Sequence, residues 1–421
     1  MFEKDIVCAL SGGGFRATFF HAGVLRCLVR LGLKDNIKVI SSVSGGSITN
    51  GLFGLVYDEI KTVEDFDRLV VAPLITFTKL NPRKLLLRYR FLATVKRTLG
   101  RLANVMGGAG NILSLYAAQQ NSEVFAEQLD LLLFEGRTLN NLSKNVRCIF
   151  NATNLNNGAR FRFDNVDFGD YKIGYSYDIN HIKVSDAVTA SACFPALFSP
   201  MKLDLRGRKF FLRNAKKEDS SSPSYAPDLI HLSDGGIFDN LGYFSIDSEI
   251  KRGKNAFVVI GDASNRFAHN NYTYSFFNSA LRINNILMEQ VSNRDRRSIM
   301  QQLNSGTWPG IYFKLENSCR SYREVEPGRG AAGSLLPQIG WSDSVVSLLA
   351  RVRTDLNEFS DLEVQGLIAH GDTVTETNIA RWHHDTYQRC VRSAKYSPAA
   401  LPAEESDLIE ALQVSHKVFR F

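Results

Sequence analysis

Three short clusters of small residues carry the chemistry this sequence offers. The first is Ser42-Val43-Ser44-Gly45-Gly46, where strand-type residues break sharply into a helical apolar pattern. Such a strand-to-helix turn exposes a serine hydroxyl, and the flanking residues must be small because the turn is crowded. Ser44 fits best: it has Gly46 two residues on and Ser42 two residues back, whereas Ser41, Ser42 and Ser47 lack a glycine at that offset. The second cluster is Gly12-Gly13-Gly14, which follows the apolar run Asp5 to Leu10 and opens a helical run. A glycine turn at a helix N-terminus presents backbone N–H groups and positive partial charge, which suits an anionic oxygen. The third is Asp234-Gly235-Gly236, at the end of a short apolar strand; a simple Asp-Gly turn would read the same.

Together, a serine, a carboxylate and free N–H donors are the parts of an acyl-transfer centre. Five histidines follow Asp234 (His269, His370, His383, His384, His416), which leaves a serine, aspartate, histidine order formally open, but none sits in a loop of small residues. His231 lies three residues before Asp234, so strand alternation turns the two to opposite faces. Gly12-x-Gly14-x-x-Ala17 also satisfies a dinucleotide fingerprint. That reading needs an acidic residue at the far end of the second strand, and Asp35 precedes it. A Walker A loop is excluded, because no Gly-Lys-Ser/Thr follows the glycines.

The elements that would position these residues are strand–turn–helix units. Asp5 to Leu10 reads as a strand with a helix from about Thr18 to Leu31, and Lys38 to Ser41 as a strand with a helix from Ser47 to Tyr57. If the first two strands lie side by side and parallel, both turns emerge at one carboxyl edge. Further strands are expected at Val146 to Thr153, Ala159 to Phe163, Leu229 onward and Ala256 to Gly261, with Ile311 to Leu315 as an outer one. Asp262 ends the 256–261 strand and is a second carboxylate of interest; Asp239 reads as a cap or brace. Helices are expected over Ser122 to Phe134, over Val184 to Ala192, and from about Glu363 to His370 with Gly371 as terminator. Arg213 to Pro227 reads as a polar loop.

A helix from Pro82 to Met106 carries an apolar stripe (Leu85, Tyr89, Leu92, Val95, Leu99, Leu102, Met106) with Arg83, Arg90, Arg97 and Arg101 opposite. A core helix with a solvated basic face has the same pattern; the functional reading sets the arginines against anionic head groups. The formal charge of +7 and pI near 9.0 favour negatively charged partners. The six cysteines have no metal-ligand spacing and read as reduced, mostly buried thiols. The N-terminus enters a strand at once, leaving no room for a secretory leader, and no run reaches the roughly 20 apolar residues of a membrane span. A cytoplasmic protein with at most peripheral membrane contact is expected.

In chain order, the glycine loop Gly12-Gly13-Gly14-x-Arg16, the elbow Ser42-x-Ser44-Gly45-Gly46 about thirty residues later and Asp234-Gly235-Gly236 well downstream resemble the patatin-like phospholipases. Ala190-Ser191 through Phe194-Pro195 to Phe198-x-Pro200 is similar to that family's remaining internal block. Arg353 to Leu356 with Phe359-Ser360-Asp361 is similar to the C-terminal part of some bacterial members. The resemblance spans roughly residues 5 to 265. It implies an α/β fold with a mixed, largely parallel central sheet, helices on both faces and a helical C-terminal portion. It also implies one acyl hydrolase domain over residues 1–421, with a core at about 5–265 and a mainly helical extension over 266–421. Residue by residue it implies Ser44 as nucleophile, Asp234 as base, an oxyanion hole from Gly12, Gly13 and Gly14, and support from Arg16, Gly45, Gly46, Gly235 and Gly236. No cofactor, metal or nucleic acid is expected. Ala17 and Ser42 stand where the family usually has glycine. The implied activity is cleavage of fatty acyl esters of phospholipids or other glycerolipids. A signal- or partner-activated membrane-degrading effector is an alternative, and a nucleotide- or nucleic-acid-binding protein is one from another class.

Overall fold

A computed structural model of the chain describes residues 4–79, 121–195, 198–213, 219–224, 226–250, 256–264, 276–323, 339–354 and 356–415. Its strands are β1 (Asp5–Leu10), β2 (Ile37–Ser42), β3 (Arg147–Asn154), β4 (Arg160–Phe163), β5 (Phe168–Asp170), β6 (Gly174–Ser176), β7 (Met201–Asp204), β8 (Phe210–Arg213), β9 (Asp219–Ser224), β10 (Leu229–Asp234), β11 (Ala256–Asp262) and β12 (Gly310–Lys314). They form one mixed sheet in the order β12-β11-β1-β2-β3-β4-β5-β6-β8-β9, and β10 joins β3 to β7. The first five strands in that order are parallel, as strand–helix–strand connections require; the rest pair antiparallel.

The apolar run of β1 is continuous because both of its faces are covered. Ile6, Cys8 and Leu10 enter one core, with α1 (Gly14–Arg30), α2 (Gly45–Val56) and the helix Asp361–Trp382. Val7 and Ala9 enter a second, with Tyr243 and Ile246 of the helix Tyr243–Ile250 and Ile299 of the helix Phe276–Asn304. Helices therefore flank both faces.

The register of β3 positions the site. Its Phe150 pairs with Phe163 of β4 on one side and Ser42 of β2 on the other; its Ala152 pairs with Phe161 of β4 and with Asp234 of β10. Since β4 occupies one edge throughout, β2 and β10 share the opposite edge, end to end and running toward each other. The ends of these two strands are thus two residues apart along β3, about 7 Å.

Local expectations hold well at the N-terminus, where β1 occupies the expected residues and β2 lies parallel to it. Three readings are corrected. Gly371 does not end a helix: the helix Asp361–Trp382 runs straight through it. A Cβ there would lie 2.1 Å from the carbonyl oxygen of Phe20, and one on Gly23 would lie 2.0 Å from that of Ile368, so these glycines let α1 and the 361–382 helix cross in backbone contact. The polar stretch after Arg213 is not wholly a loop, since Asp219–Ser224 pairs with β8. The helix from Ser122 is α-helical over Asn121–Leu129 and ends in a π-helical turn, Asp130–Phe134. All six cysteines are buried and none is in a disulfide. No described helix is long and apolar enough to cross a membrane. The expected helix from Pro82 to Met106, with Arg83, Arg90, Arg97 and Arg101, lies outside the described residues.

Candidate active site

Ser44 follows the last residues of β2 and caps α2 with φ 51 and ψ −122, one of two non-glycine residues at positive φ among those described. Such a conformation costs on the order of 1–3 kcal/mol and persists only where the surroundings enforce it. The enforcement is visible. A Cβ on Gly45 would lie 2.0 Å from the carbonyl oxygen of Gly14, and one on Gly46 2.6 Å from that of Leu10. Ser42 is tolerated at the head of the elbow because its hydroxyl donates to the Ile149 carbonyl at 2.9 Å and accepts from Ser47 and Asn50.

Asp234 ends β10, its carboxylate accepts the Gly236 N–H at 2.7 Å, and the Ser44 side chain lies near enough to favour its charged form. Burial pushes its pKa up to about 6; the Gly236 N–H and the Ser44 side chain pull it back only in part. Gly235 must be glycine for space, since a Cβ would lie 2.2 Å from the Asn151 carbonyl oxygen.

The elbow and the aspartate turn are tied together by Ser191, the penultimate residue of the helix Val184–Ala192. Its carbonyl accepts the N–H of both Ser44 and Gly235, at 3.2 and 3.3 Å, and its hydroxyl accepts from Ser44 N–H at 3.0 Å while donating to Asn151. Two residues on, the Cys193 carbonyl accepts the Asp234 N–H at 3.0 Å. The sequence flagged Ala190-Ser191 only as a block; its role depends on contacts more than 40 residues away in both directions.

The glycine turn closes the third side. A Cβ on Gly12 would sit 3.3 Å from Ser44 Cβ and 2.4 Å from Asn240 Oδ1, so the turn packs directly on the elbow. The Gly12 N–H donates to the Asn240 carbonyl at 3.0 Å and is not available to a substrate. Gly13 (φ 145) and Gly14 (φ 57) adopt conformations that favour glycine, and neither donates its N–H to another described residue. Arg16, in the first turn of α1, is buried where the helix dipole disfavours a cation. Its guanidinium donates to the carbonyls of Ala350, Val352 and Ala263, and burial lowers its pKa to about 10. Arg16 thus braces the turn against the 350–352 segment. Asn240, which the sequence reading missed, has no signal beyond its place after the Asp-Gly-Gly turn.

The other candidates lie elsewhere. Asp239 accepts the N–H groups of Leu241 and Phe244, as a brace should. Asp262 is held by Arg296 and the Tyr312 hydroxyl, each at 2.9 Å, and lies below the ordinary carboxylate range despite its burial. Of the downstream histidines, His370 Nε2 donates to the Leu315 carbonyl and His383 Nε2 to the Gly310 carbonyl, which commits both to the region around β12. His384 follows as the first residue of the next helix, and His269 and His416 lie outside the described residues.

The family model for patatin-like phospholipase matches residues 8–245, and the chain belongs to that family. No curated protein is significantly similar to it in sequence. Solved structures resemble it remotely. The human GIVD cytosolic phospholipase A2 matches at 13% identity and TM-score 0.45 over 98% of this chain, which spans 60% of that protein's length. VipD from Legionella pneumophila matches at 12% identity and TM-score 0.29, over 99% of this chain and 92% of that one. Likeness this slight bears on neither substrate nor partner.

Proposed function

We propose that the protein is a serine lipid acyl hydrolase, specifically a phospholipase A, working through Ser44 and Asp234 without a histidine. The observation that carries this reading is a buried carboxylate, raised to about 6, beside a serine held in a strained elbow. Ser44 Oγ attacks the ester carbonyl carbon as Asp234 takes its proton. The oxyanion that develops is met by the N–H groups of Gly13 and Gly14, fixed in place before reaction. Gly12 contributes by its lack of a side chain, which lets the turn approach Ser44. Collapse of the intermediate breaks the ester bond; the proton on Asp234 passes to the leaving lysolipid alcohol and the acyl group stays on Ser44. Water then attacks the acyl-enzyme, gives its proton to Asp234, and the fatty acid leaves as the proton returns to Ser44.

We read the whole chain as one catalytic unit, because the 361–382 helix crosses α1 in backbone contact behind the glycine turn. Substrates of this kind place the enzyme at an anionic membrane surface, peripherally and on the cytoplasmic side. The direct test is a fluorophosphonate probe, which should label wild type and leave Ser44→Ala unlabelled. Labelling that survives the substitution moves the nucleophile elsewhere. Mass spectrometry of vesicles incubated with the protein should show free fatty acid and lysophospholipid.

A further inference from the structure

The helix Phe276–Asn304 connects β11 to the parallel β12. Its 29 residues span about 43 Å, while the seven residues of β11 span about 23 Å, so the helix overhangs the sheet. Its C-terminal half is the anchored part. Ile299 is fully buried, the Ser298 hydroxyl bonds to that of Tyr243, and Arg296 binds Asp262 at the carboxyl end of β11. Two turns earlier Met288 reaches the catalytic turn, with its methyl carbon 3.0 Å from where a Cβ on Gly236 would lie. Residues before Met288 therefore stand beyond the dyad, past the carboxyl edge of the parallel strands.

In that overhang the outward side is apolar, with Ile283 57%, Ile286 39% and Leu287 61% exposed. At 3.6 residues per turn these three share one side with Gln290, Arg294 and Arg297, which are also exposed. The face thus runs from three large apolar side chains to two arginines about 10 to 15 Å further along, and carries no exposed carboxylate. A second copy packed symmetrically on such a face would bring no anion to the arginines. A surface with acyl chains below anionic phosphates meets both parts, and the formal charge of +7 favours it.

We propose that the Ile283, Ile286 and Leu287 face, with Arg294 and Arg297, docks the protein on an anionic phospholipid surface and so brings the dyad to it. This rests on the lipid hydrolase reading for its purpose, but the docking is measurable without it. The test is cosedimentation with vesicles of equal parts phosphatidylglycerol and phosphatidylcholine. The Ile283→Asp/Leu287→Asp variant should lose about tenfold or more in partitioning. Arg294→Gln/Arg297→Gln should bind several-fold more weakly, with a flatter salt dependence. The apolar variant should melt like wild type, and both should take the fluorophosphonate label and cleave a short soluble ester unchanged. If the aspartates unfold the protein, Ile283→Ser/Leu287→Ser takes their place. Wild-type-like vesicle binding by the apolar variants overturns the proposal. So does a change in their self-association with vesicle binding intact, or a loss of binding confined to the quadruple Arg83, Arg90, Arg97 and Arg101→Gln variant. Vesicle binding through this face by a protein that takes no label would instead sink the hydrolase reading and leave the docking standing.

Discussion

Asp234 and Asp262 each end a strand near the Gly12–Gly14 turn, and each is 2% exposed. Their acidities nevertheless move in opposite directions. Asp262 meets the guanidinium of Arg296 and the hydroxyls of Tyr312 and Ser264, which together outweigh burial and hold it below the usual carboxylate range. Asp234 accepts one backbone N–H and lies beside the Ser44 side chain, with no cation paired to it among the described residues, and rises to about 6. Equal burial therefore gives a structural anion in one place and, in the other, a carboxyl that titrates near neutrality, as the base proposed above should. The difference lies in the partners, and a general base works best with its pKa near the working pH.

The comparison is sharpest when the cation is taken from Asp262. Arg296→Met leaves a buried carboxylate without its counter-charge and should cost about 3–5 kcal/mol in urea unfolding at neutral pH. An unchanged midpoint would mean that the pair contributes nothing to the contrast. On the other side, Asp234→Asn should reduce ester hydrolysis on the order of 100-fold or more, with wild-type activity rising as pH passes through about 6 and Asp234 loses its proton.

The same substitution has a stability counterpart. The folded pKa of Asp234 lies above its ordinary value, so the folded state favours the protonated form. Its stabilising contribution is full below about pH 4 and is lost as pH rises through about 6; the rise from the ordinary 3.8 amounts to about 3 kcal/mol. Asp234→Asn keeps the acceptor for Gly236 and removes the charge. It should therefore raise stability at pH 7.5 by up to about 3 kcal/mol and change it little at pH 3.5. Equal effects at both values would show that desolvation is not what tunes this group. The smallest expected effect concerns the elbow: Ser44→Gly relieves the positive φ and should stabilise by about 1 kcal/mol, which Ser44→Ala cannot do. Thermal melting of the two variants side by side measures the strain that Ser44 carries.

What could be read from the sequence was local. β1, the glycine turn, β2, the elbow and the Asp-Gly-Gly turn announce themselves because backbone in close contact and at positive φ admits only small residues, and buried parallel strands need unbroken apolar runs. Gly371 shows the limit of that reasoning. A glycine late in an apolar helical pattern suits a C-cap and a helix crossing equally, and only Phe20 on α1 decides between them. Likewise Asp234 and Asp262 look alike in sequence, because Arg296 approaches one of them from a helix that begins more than a dozen residues later. The meeting of Ser44 with Asp234 belongs to the tertiary structure as well. It follows from the register by which β2 and β10 share one edge of β3, and from Ser191 accepting hydrogen bonds from both turns. The sequence determined which turns are built to hold reactive groups; which of them face one another was decided by strand register and by cations and carbonyls brought from distant segments.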